Sequence, residues 1–148
     1  AKIKWIPKSQ IHLTLKFLGE VDEKKIPEIV EKLKEIKFKN FDLELDELGF
    51  FPSDSYIRVL WVGVKNFNKV IEIQQEIEEK LKDYFEKDKE FSCHITIGRV
   101  KVVKDKVAFK EKTKNIKIEK IKFKVNSFKL VKSELSKDGP VYSVIDTF

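Results

Sequence analysis

A chain of 148 residues, 41% of them hydrophobic, can bury one core or two tightly fused lobes and is too short for two independent domains. One cysteine, Cys93, excludes an intramolecular disulfide, and neither a signal peptide nor an apolar run near the ~18 residues of a membrane helix is evident; a soluble, monomeric, cytoplasmic protein is expected. The net charge of +6 is uneven: twelve lysines between Val100 and Lys132 face only Asp105, Glu111 and Glu119, which suits an anionic partner, although 38% charged residues without methionine also fit a thermophile composition.

In chain order, Ile3 and Trp5 alternate with lysines before Pro7, and Gln10 to Leu18 reads as a strand ended by Gly19. Asp22 and Glu23 suit a helix start, with Ile26, Ile29, Val30, Leu33 and Ile36 at amphipathic spacing and Pro27 tolerable in the first turn. Phe41, Leu43 and Leu45 alternate as a strand, residues 50–55 form a turn-rich break, and Tyr56 to Val64 is apolar on both parities except Arg58, as in a central strand. Asn66 or Asn68 can cap a second helix striped by Val70, Ile73, Ile77, Leu81 and Tyr84. Phe91 to Ile97 is a strand and Lys104 to Lys114 a short basic helix. Ile121, Phe123 and Val125 alternate until the parity slips at Asn126-Ser127, a bulge signal. Lys137 to Pro140 is a turn before a last strand, Val141 to Phe148. Without linkers or low-complexity segments, residues 1–148 read as one two-lobed α+β domain.

Both histidines of the chain stand two places before a threonine, in His12-Leu13-Thr14 and His94-Ile95-Thr96. On a strand, residues two apart share a face, so each histidine and its threonine point one way while Leu13, Leu15, Ile95 and Ile97 point to a core. A two-lobed domain would set these strands side by side at a central cleft.

An imidazole titrates near pH 6.5, so two in one cleft can supply a base and an acid together, as in-line displacement at phosphorus requires. Thr14 and Thr96 hydroxyls suit the non-bridging phosphate oxygens, and Lys16, on the face of His12, could add charge. Arg99 lies five residues beyond His94, so a regular strand turns it away; a bulge at Gly98 would re-aim its guanidinium at the phosphate. The same-face neighbours Gln10 and Ser92 add no carboxylate, so no metal requirement is expected. Cys93 reads as a small buried hydrophobe, Ser92 lacks an orienting carboxylate for a nucleophile, and no glycine loop cradles a nucleotide cofactor.

With these residues the chain resembles the 2H phosphoesterase superfamily, in particular its RNA 2′,3′-cyclic phosphodiesterases, also called 2′-5′ RNA ligases. The resemblance spans Trp5-Ile6-Pro7, the run from His12 to Glu20, Arg58 to Val64, His94 to Arg99, and Ser133, Gly139-Pro140 and Tyr142. It implies a bilobal α+β fold of two antiparallel sheets flanked by helices, with both motifs in a central cleft. It also implies metal-independent hydrolysis of an RNA 2′,3′-cyclic phosphate end to a 2′-phosphate, with the reverse 2′-5′ joining accessible; a 2′-5′ linked oligonucleotide or a small cyclic nucleotide is an alternative substrate for the same fold and mechanism. His12 would be general acid, His94 general base, and Thr14, Thr96 and Arg99 phosphate contacts. Family members begin with a further strand and helix ahead of the segment equivalent to Lys2–Pro7, not represented in these residues, and often carry proline where Cys93 stands. A different expectation is a non-catalytic RNA-binding module using the lysines of residues 100–132, whose binding would survive loss of both histidines.

Overall fold

Alternation of apolar and polar side chains carries most of the chain into strands, and three stretches with helical spacing interrupt them. The computed structural model describes residues 1–53 and 56–148. Its elements are β1 (Lys2–Trp5), α1 (Ile26–Lys34), β2 (Phe41–Ser53), β3 (Tyr56–Lys65), α2 (Asn68–Lys80), β4 (His94–Val102), α3 (Lys106–Lys114), β5 (Lys122–Val125), β6 (Lys129–Ser136) and β7 (Gly139–Thr147). Five strands form one sheet in the order β1-β4-β3-β2-β5, and β6 and β7 form a second. The α+β class with two sheets is as expected. Among the described residues no helix is long and apolar enough to cross a membrane.

The chain divides into two compact units, each assembled from three separated stretches. The first takes Ala1–Thr14, Asp42–Phe67 and Ser92–Phe123. Its core joins Leu60 of β3, Val100 of β4 and Phe109 of α3, with Ile3, Phe50, Ile57, Ile97 and Val103 around them. The Asp105 carboxylate starts α3 by accepting a hydrogen bond from the Ala108 amide at 3.0 Å.

The second unit takes Leu15–Phe41, Asn68–Phe91 and Lys124–Phe148. Ile29, Leu33 and Ile36 interdigitate with Ile73, Ile77 and Leu81 over Phe128, the three-and-four spacing of both helices having placed these side chains on facing stripes. Each such burial contributes about 1.5–3 kcal/mol. Pro27 lies in the first turn of α1, where its missing N–H breaks no bond.

Four expected strands differ, the simplest case being Phe91 to Ile97, which begins three residues later and runs five residues further as β4, His94–Val102. Gln10 to Leu18 is not a continuous strand: Ile6 still donates to the Ile97 carbonyl at 2.9 Å, then Lys8–Gln10 makes a 3₁₀ turn, and the chain returns to pair once, at Leu13 with Ile95. β1 already occupies part of that edge of β4, and Pro7 has no N–H to continue the ladder. β2 runs on through most of the expected break to Ser53; its register with β3 slips between Leu45 and Leu48, and the resulting loss of parity hides the strand from periodicity. Asp54 and Ser55 of that break lie outside the described residues. At Asn126-Ser127 the chain does not bulge within one strand but leaves the first sheet, and Phe128 and Phe148 exchange backbone hydrogen bonds of 3.0 and 2.8 Å beside the second.

Candidate active site

β4 opens on His94, so the second motif is anchored in the middle of the large sheet between β3 and the edge shared by β1 and the first motif. Across β3 the antiparallel register pairs His94 with Gly63, Thr96 with Trp61 and Arg99 with Val59. The partners 63, 61 and 59 alternate regularly, so all three β4 residues share one face. Between Thr96 and Gly98 the register slips, Gly98 standing opposite Leu60. The extra residue reverses the parity that would have turned Arg99 away. Ile97 and Gly98 both go to the core side, where Ile97 packs against the Leu60 cluster. The backbone thus changes course between Thr96 and Gly98, the condition under which Arg99 shares the face of His94.

The antiparallel bridge of Leu13 with Ile95 brings the motifs together. One residue to either side, that register sets His12 level with Thr96 and Thr14 level with His94, so each histidine lies beside the other motif's threonine. The two rings are held alike. His12 Nδ1 lies 2.6 Å from the Gln10 carbonyl and His94 Nδ1 lies 3.0 Å from the Ser92 carbonyl. A carbonyl only accepts, so each Nδ1 carries its proton, and in the neutral ring Nε2 is left as an acceptor. His12, Thr14 and Arg99 are exposed, while His94 and Thr96 are half-buried. Among the described residues no carboxylate pairs with Arg99, so its guanidinium remains available to an anion.

Sequence reasoning missed the aromatic wall behind His94. Phe51 meets the imidazole edge-on with ring centroids 5.1 Å apart, Trp61 lies 5.9 Å away, and the two aromatic rings pack at 5.2 Å. Trp61 occupies this place because Gly49 lies beneath it; any Cβ there would overlap the indole. The Trp61 indole N–H is buried and without a hydrogen-bond partner among the described residues. Two glycines, Gly49 and Gly63, flanking an aromatic strand were the available signal, but only pairing shows what they face.

Lys16 is engaged elsewhere. Its ammonium donates to Glu78 Oε1 at 2.8 Å, the Glu86 carbonyl at 2.9 Å and Asp88 Oδ1 at 3.1 Å, with the side chain only 3% exposed. All three N–H bonds are used, so in this arrangement it offers no donor to a phosphate; the chain leaves strand geometry after Leu13 and the parity expected of Lys16 does not hold. Burial disfavours its charged form, but hydrogen bonds and charges from Glu78 and Asp88 outweigh that and hold its pKa above the usual lysine value. Cys93 is half-buried, and burial pushes its thiol up to about 11, an inert group rather than a nucleophile. Among the described residues no three His, Cys, Asp or Glu side chains converge as a metal-ligating group.

The sequence model of the LigT-like phosphoesterases matches residues 1–61 and 62–142, each stretch holding one His-x-Thr motif. The chain belongs to the LigT-like phosphoesterase family. It is 41% identical over 145 residues to the RNA 2′,3′-cyclic phosphodiesterase of Methanocaldococcus jannaschii, covering 97% of this chain and 82% of that protein. A protein of the same name from Archaeoglobus fulgidus is 35% identical, with 99% and 83% covered. The crystal structure of TT0787 of Thermus thermophilus superposes with a TM-score of 0.80 at 26% identity, covering 99% of this chain and 81% of that one. Escherichia coli LigT, solved with 3′-AMP, shares the fold at a TM-score of 0.76 and 22% identity, with 98% and 79% covered.

Proposed function

We propose that this LigT-like phosphoesterase hydrolyses the 2′,3′-cyclic phosphate at an RNA end to a 2′-phosphate through its two histidines. The observation that carries the reading is the matched pair: two rings tethered through Nδ1 to their own backbone, on segments bridged at Leu13 and Ile95. In the reaction, water attacks phosphorus while Nε2 of neutral His94 takes its proton. The bond from phosphorus to the 3′ oxygen breaks, and that oxygen takes a proton from Nε2 of protonated His12. Thr14, Thr96 and Arg99 hydrogen-bond the non-bridging oxygens, where charge builds in the transition state. With an RNA 5′ hydroxyl in place of water, the same two proton transfers would form a 2′-5′ linkage.

The test is hydrolysis of a cyclic-phosphate-ended RNA, with and without chelator. His12→Ala and His94→Ala are each expected to lower kcat by about 10²–10⁴-fold while the thermal melt stays put, because each removes one positioned proton carrier. The product should be the 2′-phosphate, and chelator should have no effect. Wild-type-like turnover in both variants would sink the assignment.

A further inference from the structure

The two aromatic rings beside His94 stand on the reacting face of the large sheet. Trp61 is opposite Thr96 across β4 and opposite Gly49 across β2, while Phe51 is opposite Val59, itself the partner of Arg99. Directly paired residues share a face, so Phe51 and Trp61 lie on the side of His94, Thr96 and Arg99. Both are only half-buried, which makes them modest contributors to a core, yet the chain gives up stability to hold them. Gly49 and Gly63 leave this face of β2 and β3 without side chains, and the Trp61 indole lies over the first and beside the second. A glycine inside a strand weakens it. The buried indole N–H has no hydrogen-bond partner among the described residues, and a buried donor without an acceptor is destabilising. Local sacrifices of this kind beside a reactive group mark a geometry that the site uses.

The geometry in question is the plane of the His94 ring. Its Nδ1 is tied to the Ser92 carbonyl at 3.0 Å, and a single hydrogen bond leaves the ring able to swing about that contact. Phe51 meets the imidazole at 5.1 Å with the planes 79° apart, and Trp61 at 5.9 Å with the planes 58° apart, so two rings at different inclinations oppose the swing. Phe51 is braced in turn by Trp61 at 5.2 Å, and Trp61 by its seat on Gly49. A general base accepts a proton along the lone pair in its ring plane. A tilted ring therefore loses rate even when its nitrogen stays within reach of the substrate.

We propose that Phe51 and Trp61 are positioning residues for His94. They hold the imidazole with Nδ1 on the Ser92 carbonyl and so keep Nε2 as the accepting nitrogen, aligned for proton transfer. For the reaction served this rests on the cyclic phosphodiesterase reading. Neither aromatic ring has to touch the substrate.

The test uses four variants. Phe51→Leu removes the ring and keeps an apolar side chain, Phe51→Tyr keeps the ring, and Gly49→Ala pushes Trp61 off its seat. Phe109→Leu makes the same ring-to-aliphatic change on the opposite face of the sheet, against Leu60 and Val100. Turnover of a nucleoside 2′,3′-cyclic phosphate is measured, together with the ¹⁵N resonances of the His94 ring, which report its tautomer. Phe51→Leu and Gly49→Ala should each lower kcat about tenfold with KM unchanged, and Phe51→Tyr should keep kcat within about twofold of wild type. Phe109→Leu should lower the melting temperature and leave kcat alone. In a His94→Ala background Phe51→Leu should bring no further loss, since the phenyl ring acts through the imidazole. Wild type should show His94 as the Nδ1–H tautomer alone, and Phe51→Leu a mixture of the two. A loss that Phe51→Tyr shares, a loss that persists without His94, a rise in KM in place of the fall in kcat, or an unchanged tautomer in Phe51→Leu would overturn the proposal. If the wild type does not turn over the cyclic phosphate, the cyclic phosphodiesterase reading fails, and the tautomer measurement alone still decides whether the two rings position His94.

Discussion

At each histidine the deciding contact is a hydrogen bond from the ring to the carbonyl two residues earlier in its own chain. It needs nothing but the local backbone, which is how two separate segments arrive at the same tautomer. Cys93, next to His94, has the opposite character. Burial holds its thiol up to about 11, so the folded state favours the protonated form; that stabilisation is present below the ordinary thiol pKa and is lost as pH climbs toward 11. Thiol alkylation of the native protein should therefore be slow at pH 8 and accelerate only near pH 11 or on unfolding, and Cys93→Ala should leave turnover unchanged. Rapid labelling at pH 8 with loss of activity would contradict this. The two His-x-Thr motifs were legible in sequence because two histidines and their threonines need only spacing to be recognised. The ring faces of Phe51 and Trp61 were not, because they come from strands far away in sequence.

Among the elements, β4 owes its use to its irregularities. A Cβ on Gly98 would stand 3.1 Å from both Ile3 Cγ2 and Trp5 Cε3. Gly98→Val is thus expected to strain the bulge by about 1–3 kcal/mol, lowering the melting temperature by roughly 2–12 °C, and to move kcat/KM toward that of Arg99→Ala. Unchanged values of both would mean that the bulge does not depend on the glycine. The segment after Thr14 is pinned instead by charge, with Lys16 buried against Glu78, which is only 7% exposed and also accepts from Gln74 Nε2 at 3.1 Å. Lys16→Ala would leave that carboxylate buried without its cation, a loss of about 3–5 kcal/mol, whereas Lys16→Met/Glu78→Leu should recover most of it. A urea titration of the two variants checks this. Because the Lys16 pKa is raised, its contribution is complete below the ordinary lysine value and disappears as pH rises through the raised one. Amphipathic spacing announced α1 and α2, whereas α3 was legible only as a short basic helix. It failed at β2, where a slipped register breaks the alternation, and between Pro7 and Leu18, where one strand edge is shared by two segments.

For the whole molecule, each compact unit draws on three separated stretches of chain. Fragments 1–67 and 68–148 each lack part of both units, so neither is expected to show the dispersed amide spectrum of a folded domain. A folded 68–148 would mean that α2, β6 and β7 bury a core without α1, whose Ile29 and Leu33 are among the most buried side chains of the second unit. Local chemistry and short-range periodicity by themselves determined the two His-x-Thr motifs, the amphipathic helices, the lysine-rich stretch and the family resemblance, since each is written in residue type and spacing. Tertiary structure decided that Arg99 shares the face of His94 and that Lys16 is spent on Glu78 and Asp88. These depend on which strand stands opposite which, a long-range register that a single extra residue reverses and that no local period records.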